Sequence, residues 1–316
     1  FGVRMLASTL IIFGTEEQKQ TFLPPIAQGE VQWCQGYSEP ETGSDLASLQ
    51  TRAVEDGDDF VVNGSKIWTT MAHQANWMFL LVRTDPDAPK HRGMTYFGID
   101  LHQPGVEIRP LRQMTGQAEF NEIYLTDARV SEADRMGDVG DGWRVALTTL
   151  MNERVAIGGG TRDAGKSAMD WILEAWNDHG HDDPARHDEM MKLWVRSEVL
   201  RLNNLRAEET LTTGTPGPEG SIGKVISAEF NKDAFAFALG LTGMAGTLFD
   251  GGYDLDQSRP VLDYDTLAEY FLRVRANSIE GGTTEVMRNI IGERVLGLPG
   301  DVRVDKDVAW KDVARN

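Results

Sequence analysis

Between residues 32 and 137 apolar side chains come in short runs rich in β-branched and aromatic residues, whereas from Asp141 onward they recur every three or four positions. One element cannot satisfy both periods, so a sheet segment followed by a helical segment is expected. "DDFVVNGSKIWTT" holds two β-rich runs around Asn63-Gly64, which predicts a hairpin at that pair. "WMFLLVRTD", "MTYFGIDL", "VEIRPL" and "NEIYLTDARV" predict further strands, set apart by Pro, Gly and Asp. Antiparallel pairing at this spacing predicts a small barrel or sandwich. In "DGWRVALTTLMNERVAIGGG", Ala146, Leu150, Glu153 and Ile157 follow one another at helical steps and share a face. "DEMMKLWVRSEVLRLNNLRAEETL", "SIGKVISAEFNKDAFAFALGL", "TLAEYFLRVRANSI" and "EVMRNIIGERVLGL" predict more helices, while "DHGHDDPARHD" and "TTGTPGPEG" predict connectors.

The first 30 residues also read as helical. Thr15 caps a first turn containing Glu17 and Gln18, and Pro24-Pro25 is expected to stop the helix. The opening "FGVRMLASTLIIFG" has no cap, as though an upstream helical domain were largely missing. The expected architecture is therefore α+β. It has a helical remnant over 1–31, a central antiparallel β-barrel or sandwich domain over 32–137, and a C-terminal helical bundle over 138–316.

Composition narrows the function. At 316 residues the chain is long enough for more than one core, and 41% apolar content with 8% aromatics can fill it. A formal charge of −18 argues against a nucleic-acid partner, which would require clustered Lys and Arg. The single cysteine, Cys34, excludes intrachain disulfides and multi-cysteine metal sites and points to a reducing, cytoplasmic setting. No apolar run reaches membrane-spanning length.

Several stretches carry unusual chemistry. "WCQGYSEPETGSDLASLQTRA" runs from a strand into a loop whose amides and Ser38 and Ser44 hydroxyls suit a heterocycle or pyrophosphate; an ordinary turn has the same composition. Trp68, followed by Thr69 and Thr70, would present an indole and hydroxyls from a strand end, though a tryptophan is commonly core. Glu153 interrupts an apolar helix stripe, which is costly unless the carboxylate is paired or functional; a surface pair with Arg154 is the alternative. His179, His181 and His187 lie among acidic residues and Pro, a pattern of a solvated loop rather than a metal site. "NSIEGGTTEVMRN" sets Glu280 before two glycines and two threonines at a helix start.

In this order, "YSEPETGSDLASLQTRA", "VVNGSKIWTTMAHQANWMFLLVRTD" and "EGGTTEVMRNIIGERVLG" resemble the signature regions of acyl-CoA dehydrogenases, and the resemblance covers essentially the whole chain. It implies FAD as cofactor. Gln35, Tyr37 and Ser38 would lie along the flavin ring, with Gly43 and Ser44 near the cofactor and thioester. Trp68, Thr69 and Thr70 would meet the flavin from the other strand, and Gly282, Thr283 and Glu285 would run past its ribityl chain. Arg154 would sit beside the CoA. The implied reaction removes the α-proton of an acyl-CoA while the β-hydrogen leaves as hydride to flavin N5, giving a trans-2-enoyl-CoA. Electrons would pass on to an electron-transferring flavoprotein.

In many members the base precedes the last helix; alignment on Gly282-Thr283 puts Gly281 there, with Glu280 one residue early. A subgroup supplies it from the first long helix within a Glu-Arg pair, which "LMNERVAIGGG" matches. Glu153 is thus the expected base, Glu280 the second candidate, and the Gly281 N–H a donor to the thioester oxygen. Two family segments that meet FAD across subunits are replaced by "NDHGHDDPARHDE" and "LGLTGMAGTLFDGG". The resemblance implies a homo- or heterotetramer; that departure counts against the family's standard homotetramer and opens the heterotetramer, with a non-catalytic or FAD-sharing subunit of a heteromeric complex as the alternative. Gly281 in place of a carboxylate side chain suits a long, branched or polycyclic acyl group.

Overall fold

The computed structural model describes residues 1–158, 166–179, 183–211, 220–248 and 264–314, with backbone alone for 154–158, 208, 210 and 211. The chain forms two compact units. One holds residues 1–113, 118–152 and the segment from 301; the other holds 114–117 and 153–300.

The first unit is built on an eight-stranded sheet. Its strands are β1 (Trp33–Gly36), β2 (Arg52–Asp56), β3 (Asp59–Thr70), β4 (Trp77–Arg83), β5 (Met94–Asp100), β6 (Val106–Leu111), β7 (Phe120–Ser131) and β8 (Arg135–Met136). They run in the order β6-β7-β3-β2-β4-β5-β8, with β1 on β4. Pairing is mainly antiparallel, but β1 runs parallel to β4 and Arg52 meets Arg83 in a parallel bridge, so the sheet is mixed. β4 has to be apolar on both faces. Met78, Leu80 and Val82 join one buried cluster with Val62, Phe97 and Ile123. Phe79 and Leu81 join another, under the helices α1 (Ala7–Phe13), α2 (Glu16–Gln28) and the start of α3 (Gly142–Gly158). This explains why "WMFLLV" is a continuous apolar run rather than an alternating one.

Three expectations need correction. Asn63-Gly64 is not a hairpin: β3 passes through it as one strand, and the register against β7 shifts between Val62 and Gly64. Gly64 has φ 151°, and a Cβ there would stand 2.7 Å from Thr51 Cα, so glycine serves close backbone approach. The hairpin lies at Gly57 (φ 68°), where Asp56 pairs Asp59. Pro24-Pro25 does not end α2. The capping box of Thr15 and Gln18 starts the helix, and it runs to a left-handed Gly29. Phe22 and Ile26, buried on either side of the proline pair, hold the helix through the two missing N–H groups. Lastly, Pro184 and His187 belong to a helix and not to a loop: proline at the first helical position loses only an N–H that has no intrahelical partner.

The second unit gathers α4 (Ala168–His179), α5 (Pro184–Leu211), α6 (Gly220–Leu241), α7 (Leu267–Arg273) and α8 (Thr284–Ile290). Met169 and Ile172 of α4, Met190 and Leu193 of α5, and Phe230, Ala234 and Ala238 of α6 make its core. Sheet followed by helices is the order the two hydrophobic periods predict. Residues 212–219 of the "TTGTPGPEG" connector and His181 lie outside the described residues, and Gly220 already begins α6. Among the described residues no helix is long and apolar enough to cross a membrane.

Candidate functional site

In the sheet unit, β1 carries Gln35 and runs on through Tyr37 and Ser38 into the Glu39–Thr42 turn. Tyr37 is buried, edge-on to Phe79 and Tyr96. Ser38 O accepts from Ile67 N at 2.9 Å, which ties this turn to the end of β3. A buried ion pair fixes the junction: Lys66 Nζ donates to Glu39 Oε1 at 2.8 Å and to Tyr37 O at 3.1 Å. Glu39 also accepts from the backbone N–H groups of Gln50 (2.6 Å) and Thr51 (2.9 Å). Burial pushes the Glu39 carboxyl up, but the Lys66 charge and these hydrogen bonds prevail and hold it below the usual carboxylate range. Burial likewise lowers Lys66, against the pull of Glu39.

Past Lys66 the β3–β7 register shifts again, and the bulge turns Trp68 outward. Its backbone is left-handed (φ 60°), a conformation an aromatic residue rarely holds, and its side chain is 57% exposed with one edge against Phe120. Thr69 is buried with no hydrogen-bond partner for Oγ1, and Thr70 follows opposite Phe120. Thr42 Oγ1, at the root of the exposed Gly43–Ser44 loop, is a second buried hydroxyl without a partner. An outward-facing indole on a strained bulge, next in the chain to a buried unpartnered hydroxyl, fits a planar polar group such as a flavin. Asn121 locks the bulge from β7, donating to Thr69 O at 2.9 Å and meeting His73 Nδ1 at 3.0 Å.

The helical unit carries the remaining residues. Gly281 (φ 63°) and Gly282 (φ 93°) are successive left-handed residues, and a Cβ on Gly282 would stand 2.5 Å from Met287 Cε. Thr283 caps α8, accepting from Val286 N, and Glu285 is exposed in its first turn. Lys224 of α6 is buried and donates to Gly282 O at 2.5 Å. Burial pushes Lys224 down; the carboxylates of Glu280, Glu153, Glu229 and Glu285 act against that. Glu280 is held on both oxygens by Arg273 (3.1 and 3.0 Å), with Asn277 Nδ2 2.7 Å from Oε1. Glu153 is half-buried on α3, within the electrostatic reach of Lys224. The side chain of Arg154 lies outside the described residues.

Sequence reasoning missed Glu39, Lys66 and Lys224. No local spacing marks them, since 27 residues separate the first two and 58 separate Lys224 from Gly282. A glutamate inside "YSEPE" and a lysine inside an otherwise β-rich strand were the available signals. His179 ends α4, and His187 of α5 packs its ring against Trp176. Among the described residues no cluster of His, Cys, Asp or Glu could hold a metal ion.

Residues 34–128 match the family model described as acyl-CoA dehydrogenase, middle domain, and residues 140–296 the one described as acyl-CoA dehydrogenase, C-terminal domain. The chain belongs to the acyl-CoA dehydrogenase family. It is 38% identical over 304 residues to acyl-CoA dehydrogenase IpdE1 of Mycobacterium tuberculosis, covering 96% of this chain and 76% of that protein. Among solved structures it resembles a Tcur3481-Tcur3483 steroid ACAD variant (TM-score 0.82, 29% identity, 95% of this chain and 77% of that one). It also resembles the ChsE4-ChsE5 complex from Mycobacterium tuberculosis (TM-score 0.77, 31% identity, 95% and 78%). Acyl-CoA dehydrogenases are oxidoreductases and flavoproteins, so the chain is part of a flavin-dependent oxidoreductase family.

Proposed function

We propose that this chain carries out FAD-dependent α,β-dehydrogenation of an acyl-CoA thioester to the trans-2-enoyl-CoA, with Glu153 as the base. The state of Glu280 carries this reading. Its lone pairs are engaged by a guanidinium fork and an amide, so it is a structural anchor rather than a proton acceptor. Glu153 is the other candidate carboxylate. It lies on helix α3, and a base must be carried by an element that fixes its reach to one carbon atom.

Gln35, Tyr37, Ser38, Trp68, Thr69, Thr70, Gly282, Thr283 and Glu285 would be the flavin contacts, and Gly43 and Ser44 would reach both cofactor and thioester. FAD, when bound, supplies the acceptor for the β-hydride. Glu153 takes the α-proton. The Gly281 N–H donates to the thioester oxygen, where negative charge develops as that proton leaves. Arg154 offers a fixed cation to the CoA phosphates. General-base catalysis of this kind contributes about 10²–10⁴-fold, leaving the rest to orientation and charge stabilisation.

The test is anaerobic flavin bleaching by a panel of CoA thioesters. Glu153→Gln is expected to bind flavin yet fail to bleach, and Glu280→Gln to bleach with reduced stability. The reverse outcome overturns the assignment. Gly281, which carries no side chain, supports a long, branched or polycyclic acyl group, as does the steroid ACAD among the structural relatives. A best kcat/KM with butyryl-CoA would exclude that class.

A second reading is an FAD-sharing subunit of a heteromeric complex that passes electrons to an electron-transferring flavoprotein. Two structural relatives are named as two-protein assemblies, and α5 exposes Met191, Trp194, Val195, Val199 and Leu202 along its length. Purification alone and with a candidate partner chain, followed by flavin stoichiometry, separates the two readings.

A further inference from the structure

The chain leaves the helical unit at Gly300, and the residues from Asp301 onward belong to the sheet unit. Trp310 N donates to Ala88 O at 2.9 Å and Lys311 N to Pro86 O at 3.1 Å, and Ala309 bridges Pro89. This returning segment thus docks on the β4–β5 connection. Two of its side chains connect onward to residues 45–48, Asp305 through Lys90 and Trp310 directly. Lys90 Nζ is shared between Asp305 (2.7 Å) and Asp45 (3.2 Å). The Trp310 ring stands 4.9 Å from the guanidinium of Arg83, and its Nε1 lies 3.4 Å from Ser48 O. Arg83 is buried and donates to Ala47 O at 2.6 Å and to Lys90 O at 2.8 Å. Ser48 Oγ closes the circuit on Asp45 Oδ2 at 2.5 Å.

These contacts converge on the stem of one loop. Its tip, Gly43–Ser44, is exposed, and no atom other than those of its chain neighbours lies within 4 Å of the place a Gly43 Cβ would occupy. A tip without packing takes its position from its stem. Here the stem is held at Asp45, Ala47 and Ser48 by Lys90 and Arg83, which are in turn braced by Asp305 and Trp310.

We propose that residues 305–311 are a positioning strap for the Gly43–Ser44 loop, setting how tightly the flavin-loaded protein holds a CoA thioester. The inference rests on the reading of Gly43 and Ser44 as ligand contacts. A strap of this kind acts on binding and leaves the base and the hydride acceptor untouched, so its loss moves KM and spares kcat.

The experiment compares Trp310→Ala and Asp305→Asn with the parent chain. Amide hydrogen exchange over residues 43–50 is read in the flavin-free protein, and KM and kcat in the flavin-loaded one, with the panel's best CoA thioester as probe. Exchange over 43–50 is expected to rise while that of β5 stays put. KM is expected to rise about 5- to 30-fold for Trp310→Ala and less for Asp305→Asn, which leaves Lys90 its contact with Asp45, with kcat within about twofold. Trp310→Phe, which keeps a ring over Arg83, is expected to restore most of the affinity. Should Trp310→Ala fail to fold, Asp305→Asn carries the same comparison. Unchanged exchange over 43–50, unchanged KM, or a fall in kcat without a change in KM each overturns the strap. Ser44→Ala distinguishes the two layers. If it raises KM while the strap variants are silent, the strap alone falls; if it leaves KM unchanged, the reading of the loop falls and the strap with it.

Discussion

Glu39 and Lys66 each give up their hydration inside the sheet unit, and a single 2.8 Å contact, with two backbone N–H groups on the carboxylate, offsets that cost. Removing one partner strands the other charge. Glu39→Gln or Lys66→Met is expected to destabilise the chain by about 3–5 kcal/mol in urea unfolding, and the double substitution by less than the sum of the two. The pH dependence has a definite sign. Because the folded-state value of Glu39 lies below its ordinary 4.5, the unfolded chain binds more protons in acid. The contribution of Glu39 is therefore whole above about pH 4.5 and drains away as pH falls through the folded value; urea midpoints of the parent and of Glu39→Gln are expected to converge in that acidic range. Trp68 shows the opposite economy. Left-handed backbone at a non-glycine residue costs about 1–3 kcal/mol, and a 57% exposed indole recovers little by burial. Trp68→Gly is expected to leave the thermal midpoint of the flavin-free chain unchanged or raised, while flavin affinity measured by equilibrium dialysis falls at least tenfold. The residue type at 68 was legible as unusual in the sequence; its strain was not, because φ follows from a register shift against β7 more than 50 residues away.

At the scale of elements, what could be read from the chain divides by range. The strands β4 to β7 and the long helices emerge from periodicity alone, since each presents its own apolar pattern. Asn63-Gly64 misleads because a tight turn and a bulge draw on the same glycine freedom; Thr51, pressed against Gly64 from β2's approach, decides between them. Gly64→Ala should accordingly cost about 1–3 kcal/mol through overpacking, where a hairpin-tip glycine with open surroundings, such as Gly57, would tolerate a larger residue sterically but not in φ. Paired urea melts of Gly64→Ala and Gly57→Asn check this; asparagine accepts left-handed φ, so the second is expected to stay within about 1 kcal/mol of the parent. The candidate site shows the same division. Its glycines, threonines and Glu153 stand out along the chain, whereas Lys224, the cation that fixes the Gly282 carbonyl, belongs to a helix joined to that loop only by folding.

For the molecule as a whole, helix α3 is the informative element. Its first part is sealed into the sheet unit by Val145, Ala146 and Thr149, the last hydrogen-bonded to Thr9 (2.8 Å) and Tyr96 (3.0 Å). From Glu153 the same helix belongs to the other unit. The helix also has a consequence for how such chains can be recombined. A crossover before Gly142 would strip Val145, Ala146 and Thr149 from one parent's sheet core, and a crossover within α3 would join two unrelated faces on one turn. Because residues from Asp301 return to the sheet unit, an exchange of residues 153–300 between relatives needs two cuts rather than one. A gene shuffled at a single point would then inherit a tail fitted to another parent's loop.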